Sequence, residues 1–344
     1  MNFDNEKSIQ SIDQSNYISE IRNLNKKILN GWEFAKAHNL AINTPINKIL
    51  LVGFSEFLNV VDLLLSIVGN NCRIPIIVHN SSTLPKWCKG NDHLIVGLLK
   101  PSNENFVEGF FLQAKINKCS ILRLKSQSIK TEEEQNNNFE TWHLNVDSFS
   151  RSTVGFDVML LSGLFYKLGL VQDLSDQVQL VQETLHQMLS HIDISVPSSV
   201  NPAKRLAGQM VGRWIKIVGG SLTKPIAQRW SDQINKTAKT MAWSEDIHQL
   251  ICHSLTGIYN PENLTQQSMV VFLKSNLNED LIELLIDKSK EELMCNGIGT
   301  DYYSLRGTTL FAQIWSSILF GDFVAYYLAM AYGCDPCPVA FIEV

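Results

Sequence analysis

The sequence predicts an α/β chain of two successive domains, each a parallel sheet flanked by helices, and three observations carry that prediction. Short, unbroken apolar runs recur through both halves, as expected of strands buried on both faces. Stretches of helical periodicity alternate with those runs, the pattern that feeds parallel strands through crossover helices. Finally, 344 residues with 45% hydrophobic content are enough for two cores, at about 150 residues per domain.

Residues 1–45 are polar and then helical, with Ile21, Leu24, Ile28, Trp32, Phe34 and Ala35 at roughly helical spacing. The first domain is expected over 46–153. Its buried strands are the runs 49–52, 74–78, 94–98 and 120–124, with helical stretches such as 60–68 and 106–114 between them. The polar insert 131–138 reads as a solvated loop. A helical connector is expected over 154–200, amphipathic to about residue 192 and closed by the Pro- and Ser-rich turn 195–202. In the second domain, 201–344, strands are predicted at 215–218, 269–273 and 300–305, and helices at 224–241, 280–295 and 310–332. The last helix is apolar on more than one face, so it is expected to be buried by its own domain and by a partner subunit.

A net charge of −5 with 18% charged residues argues against a nucleic-acid binder, which needs clustered Lys and Arg to displace counterions. The polar N-terminus has no apolar core of a secretory signal, and no run of about 18 apolar residues predicts a membrane span. A cytoplasmic protein is expected. Seven scattered cysteines do not form a disulfide framework, and the one CxxC spacing, Cys334 to Cys337, has no second ligand pair, so ordinary reduced cysteines and no metal site are expected.

Several segments carry a family resemblance. Gly321-Asp322-Phe323-Val324-Ala325-Tyr326-Tyr327, followed by Asp335-Pro336-Cys337-Pro338-Val339 and Ile342, resembles the closing helix and Asp-Pro-Thr-Pro-Val segment of the bifunctional phosphoglucose/phosphomannose isomerases. Leu84-Pro85-Lys86-Trp87 resembles that family's Leu-Pro-x-Trp turn, and Ser150-Arg151-Ser152-Thr153-Val154-Gly155 its Pro-Arg-Ala-Ala-Leu-Gly. Ala227-Gln228-Arg229-Trp230, then Asn235-Lys236-Thr237-Ala238-Lys239, is similar to its Ala-x-Arg-Trp and Asn-Glu-Asn-Ala-Lys, and Ser244-Glu245-Asp246-Ile247-His248-Gln249 to its Pro-Glu-x-Asn-His-Asn. The order and spacing of these segments cover nearly the whole chain. The resemblance implies two sugar isomerase (SIS) domains, a homodimer, a sugar phosphate or related carbohydrate as ligand, and no cofactor. It also implies a catalytic lysine at a position beyond Val344.

Aldose-ketose isomerisation needs a phosphate anchor, an acid/base group to open the ring, a base to move a proton between C1 and C2, and a cation for the enediolate. The resemblance assigns ring opening to His248 and enediolate stabilisation to Arg151, and puts Lys236 where the family has its base carboxylate. Lysine is cationic unless burial depresses its pKa, so it does not simply replace a carboxylate; Glu245 is the candidate for a displaced base. Structural roles compete for two of these residues, a buried hydrogen-bonded position for His248 and a helix cap or carboxylate pair for Arg151. The phosphate loop, Ser-Tyr-Ser-Gly-Asn-Thr in the family, reads Leu99-Lys100-Pro101-Ser102-Asn103-Glu104 here, and all three hydroxyl positions are lost. Each such charge-assisted bond is worth roughly 1.5–3 kcal/mol, so the loss amounts to several orders of magnitude in affinity. The glycine-rich turn becomes Gly53-Phe54-Ser55-Glu56-Phe57. Candidate substrate-binding residues are Gly53, Ser55, Lys100, Ser102 and Arg229. The expectation is a carbohydrate-binding SIS protein whose isomerase chemistry is silenced or rewired, with a non-catalytic assembly role as the third alternative.

Overall fold

The computed structural model describes residues 3–42, 44–53, 56–100, 103–126, 139–145 and 150–338, and the expected loop 131–138 lies outside them. The chain forms two compact units, one of Lys26–Ser175 and one of Met1–Asn25 with Asp176–Val344. The segment 1–45 thus divides between the units, and so does the expected connector 154–200.

The helices in chain order are α1 (Glu6–Ile12), α2 (Tyr17–Arg22), α3 (Leu24–Ala37), α4 (Glu56–Val68), α5 (Glu104–Ile116), α6 (Val154–Lys167), α7 (Ser175–Ile192), α8 (Pro202–Met210), α9 (Lys224–Ala238), α10 (Ile247–Gln249), α11 (Glu262–Thr265), α12 (Asp280–Cys295) and α13 (Leu310–Tyr332). The strands are β1 (Lys48–Val52), β2 (Ile76–His79), β3 (His93–Leu99), β4 (Ser120–Ser126), β5 (Glu140–Leu144), β6 (Trp214–Gly219), β7 (Ala242–Asp246), β8 (Ser268–Lys274) and β9 (Gly299–Ser304).

In the unit Lys26–Ser175, five parallel strands run in the order β2-β1-β3-β4-β5. Alternate residues feed opposite faces. Leu50, Val52, Ile95 and Leu99 pack with Val107, Phe110 and Phe111 of α5, while Ile49, Leu51, Leu94 and Val96 are equally buried. Burial on both faces is why these strands read as unbroken apolar runs. A Cβ on Gly97 would lie 2.6 Å from Val107 and 2.8 Å from Phe111, so glycine lets α5 sit down on β3. Small residues also set the crossing of α3 and α6, where Gly31 faces the Phe156 backbone and Gly163 faces Ala35.

The second unit repeats the plan with four parallel strands in the order β7-β6-β8-β9. Val218, Val270 and Phe272 share a core with Ile282, Ile286 and Leu293 of α12. The helix α13 packs against α9, α8 and α2. Gly321 lies so close to the Trp230 indole that any Cβ there would overlap the ring, and the indole Nε1 donates to Ser317 O at 2.8 Å. Beside them the Arg229 guanidinium donates to both carboxylate oxygens of the buried Asp322, at 3.3 and 2.9 Å. Thr309 caps the start of α13, and Gly333, at φ +67°, ends it.

By length and composition α13 is apolar enough to cross a membrane, but 94% of its most apolar stretch is buried inside the protein. Every residue from Phe311 to Met330 is buried by this chain alone, so the burial expected from a partner subunit is not needed. Two of its polar residues are satisfied locally: Gln313 accepts from Ser275 Oγ and donates to Asn276 Oδ1, both at 2.6 Å, and Ser316 donates to Arg306 O at 2.5 Å.

Three expectations need correction. The helix predicted over 154–192 is two helices, parted after α6 by Gly169 at φ +70°. The helix predicted to reach residue 241 stops at Ala238, where Lys239 turns left-handed at φ 52° and frees the next residues for β7. Both β7 and β5 went unpredicted because Ala-Trp-Ser-Glu-Asp and Glu-Thr-Trp-His-Leu are sheet edges without an apolar run.

The N-terminal residues are tied into the second unit. Lys204, with no exposed side-chain surface, donates to Asp4 Oδ1 at 2.9 Å and to the carbonyls of Ile194 and Val196 at 2.9 and 2.8 Å. Asp13 accepts from Tyr17 N at 2.7 Å and Ile18 N at 3.0 Å, and also from the Tyr326 hydroxyl at 3.0 Å.

The Lys204 and Ser198 donors hold the Asp4 carboxyl below its ordinary value of 3.8. A lowered folded-state pKa adds stability that is complete above the unfolded value and is lost as pH falls through the folded one. The melting temperature of Asp4→Asn should therefore lie below wild type at pH 7, with the gap closing below about pH 4. For the buried Arg229–Asp322 pair, Arg229→Met should cost about 3–5 kcal/mol in urea unfolding by stranding Asp322, and adding Asp322→Leu should restore most of it.

Candidate functional site

In an open parallel sheet, ligands bind beyond the carboxyl ends of the strands, where the strand order reverses. In the first unit that point lies between β1 and β3, which pair in parallel from Lys48↔His93 to Val52↔Gly97. Gly53 follows β1 and Lys100 follows β3, so the two altered loops do begin at adjacent strand ends. Ser55 and Ser102 lie outside the described residues.

Phe57 occupies the space that glycine would leave for a ligand at the first of these ends. A Cβ on Gly53 would lie 2.5 Å from Phe57 Cδ1, and Phe57 is itself only 4% exposed. The backbone of Gly53 is thus covered by this chain's own ring. Its N–H donates to His79 O at 3.2 Å.

At the second end the cation is already paired. Lys100 Nζ donates to Asp157 Oδ2 at 2.7 Å and to Thr153 Oγ1 at 2.9 Å, and Thr153 Oγ1 donates to the same carboxylate oxygen at 2.7 Å. The Asp157 side chain is only 3% exposed, so it needs this partner. The loop also closes on itself: Asn103 Oδ1 accepts from Lys100 N at 2.8 Å, and its amide donates to Leu98 O at 3.0 Å. At the first position of α5, Glu104 has a buried carboxylate oxygen, Oε1, without a hydrogen-bond partner among the described residues. A carboxylate at a helix N-terminus is favoured by the dipole and repels a phosphate that would use the same end.

Arg151 sits in the turn Ser150–Ser152 that leads into α6 and is 4% exposed. Two residues later Thr153 touches Lys100, so the structure brings the Arg151 turn to the β3 end. Sequence reasoning missed Thr153 and Asp157, although a lone acid four residues after a threonine in an apolar helix was a usable signal.

In the second unit Glu245 lies on β7 beside β6, in register with Val218. Its carboxylate accepts from Lys216 Nζ at 2.7 Å and from Ser254 Oγ at 2.7 and 2.8 Å. Ser254 ends the π-helical turn Leu250–Ser254, a backbone form often found at functional sites. His248 is in the one-turn helix α10, capped by Asp246 Oδ1, which accepts from His248 N at 2.9 Å. Its side chain is exposed rather than buried, and its ring has no hydrogen bond among the described residues. The buried structural role weighed for His248 is therefore excluded.

Lys236 is elsewhere. It lies in the last turn of α9, next to Asn235, whose side chain accepts from Ala242 N at 3.1 Å and donates to Ala242 O at 2.5 Å, at the amino end of β7. His248 follows the carboxyl end of that strand, whose five residues span about 13 Å in four steps of 3.3 Å. Within this unit the structure does not bring Lys236 and His248 together. Arg229 is turned to Asp322 in the helix packing described above.

Residues 199–344 match the family of bacterial phospho-glucose isomerase C-terminal SIS domains. Over 330 residues the chain is 26% identical to the bifunctional phosphoglucose/phosphomannose isomerase of Caldicellulosiruptor bescii, covering 94% of this chain and 96% of that protein. It is 24% identical over 270 residues to the protein of the same name from Aquifex aeolicus, covering 78% and 79%. Among solved structures, a glucose-6-phosphate isomerase-like protein from Thermus thermophilus superposes over 100% of both chains with a TM-score of 0.63 at 17% identity. The tagatose-6-phosphate ketose/aldose isomerase of Escherichia coli gives a TM-score of 0.66 at 14% identity, covering 92% and 93%.

If Lys100 is held by Asp157, then Lys100→Met should lower unfolding stability by about 3 kcal/mol, because a buried carboxylate loses its cation. Adding Asp157→Leu should recover most of that loss in urea titrations. A double-variant loss equal to the sum of the Lys100→Met and Asp157→Leu losses would show that the pair is not coupled.

Proposed function

Because the chain is a homologue of the bifunctional phosphoglucose/phosphomannose isomerases and its C-terminal part is a SIS domain of that kind, we propose that it binds a sugar phosphate or related carbohydrate with little or no isomerase turnover. The observation that carries this reading is the Lys100 to Asp157 pair. The only cation in the substituted loop 99–104 is already neutralised at 2.7 Å, so a phosphate arriving at that strand end meets no free charge there. Phe57 over Gly53 and Glu104 at the start of α5 act in the same direction. The exposed ring of His248 remains as a group that a carbohydrate can use.

A homodimer is part of the proposal. Lys236 and His248 sit at opposite ends of β7 in one chain, and a second copy is one way to complete a site from both. Light scattering at tens of micromolar protein should give twice the monomer mass, and a monomer would remove this part of the reading.

One observation favours a second reading, an active isomerase with a rewired base. Glu245 is held by Lys216 and Ser254 only three residues from His248, at the same end of the sheet. Assays on glucose-6-phosphate and mannose-6-phosphate should show turnover several orders of magnitude below about one per second. The melting temperature should still rise with a sugar ligand, because a ligand that binds only the native state stabilises it. Turnover near one per second, abolished by His248→Ala and by Glu245→Gln, would overturn the silent reading in favour of the rewired one. No turnover and no melting shift with any sugar would leave only an assembly role.

A further inference from the structure

Cys88 and Cys119 are far apart in sequence, yet their sulfurs lie 3.8 Å apart. Both are free thiols, Cys88 fully buried and Cys119 half-buried. They precede β3 and β4, at the amino edge of the first unit's sheet, and the backbone around them is cross-tied. Gly90 N donates to Asn117 O at 3.0 Å, Ser120 Oγ donates to Asn91 O at 2.6 Å, and Cys88 N closes a turn on Pro85 O at 2.9 Å. These bonds hold the two segments together whether or not the sulfurs are joined. A disulfide needs about 2.05 Å between sulfurs, and the two sulfurs already stand at van der Waals contact.

We propose that Cys88 and Cys119 form an oxidative modification site, converted by hydrogen peroxide into an intrachain disulfide. Peroxide reaches the half-buried Cys119: an S–O bond forms, the O–O bond breaks, and one water leaves, giving a sulfenic acid. The Cys88 sulfur then attacks the Cys119 sulfur. The S–S bond forms, the S–O bond breaks, and the second oxygen departs as water with the remaining proton. The two sulfurs lose two electrons and one peroxide becomes two waters, with no further reagent.

Access of peroxide to the half-buried Cys119 sets the first role, and local electrostatics bear on the second. The hydrogen bond between the two thiols holds the Cys88 thiol below its ordinary value, with help from the Lys48 charge, while the same bond and burial push Cys119 up. Cys88 is therefore the better resolving thiolate. The bridge would close the loop 89–118, which contains β3 and α5, at the edge opposite Gly53 and Lys100. It should stabilise the fold without blocking that edge, by restricting the unfolded chain.

The test is peptide mapping of the full-length native protein after peroxide treatment and alkylation. A peptide linking Cys88 to Cys119, about 2 Da lighter than the sum of its parts, is expected. With it the melting temperature should rise by several degrees and return on reduction. Cys119→Ser, at the half-buried position, should abolish both the linked peptide and the rise. The proposal is overturned if the exposed Cys252 and Cys295 oxidise while Cys88 and Cys119 stay alkylatable, if either of the pair reaches sulfinic acid unlinked, or if the link appears only in urea. The wild-type map decides this even if the variant folds poorly.

Discussion

The close approach of α9 and α13 governs the second unit. It exists because residue 321 has no side chain: the Trp230 indole lies against Gly321 and donates to the Ser317 carbonyl, and Arg229 meets Asp322 beside it. A buried ion pair adds little net stability over apolar residues of the same size, but it strongly penalises other registers, because a slipped helix strands two charges. With α9 fixed, Asn235 binds both backbone groups of Ala242 and so sets where β7 begins. The positions of Glu245 and His248 follow from that starting point, which ties a core contact to the geometry of the candidate site.

The first unit uses charge differently. There the buried ion pair stands at a strand end, where the fold offers a ligand site. Lys100 satisfies Asp157 through the Thr153 hydroxyl and directly, and the loop's own Asn103 uses up the Lys100 amide. Groups that point inward and are fully satisfied rigidify a loop but have little left for a ligand. The crevice of the first unit is thus stabilised by the kind of interaction that a phosphate would otherwise make.

Much of this was legible in the sequence. The runs at β1, β3, β4, β6 and β8 are apolar because both faces are covered, and α12 and α13 begin and end where their periodicity does. Polar edge strands were not legible, since β5 and β7 are decided by pairing with a neighbour rather than by local pattern. The residue types at 99–104 and the lysine at position 236 could be read directly, whereas the partners of the remaining groups could not. Nothing in the sequence places Asp157 on Lys100, Asp322 on Arg229, or Lys216 and Ser254 on Glu245, because each pair joins residues that only the fold makes neighbours.

The two sheets share the order 2-1-3-4, so each has a switch point, and in both the glycines there are spent on packing. Phe57 covers Gly53, while a Cβ on Gly219 would lie 2.7 Å from the Thr223 backbone and one on Gly220 2.5 Å from Ile282. The topology creates these crevices whatever lines them, because the strands are held by apolar runs that never touch a ligand. That separation fits a fold that superposes over the whole of the Thermus thermophilus chain with a TM-score of 0.63 at only 17% identity.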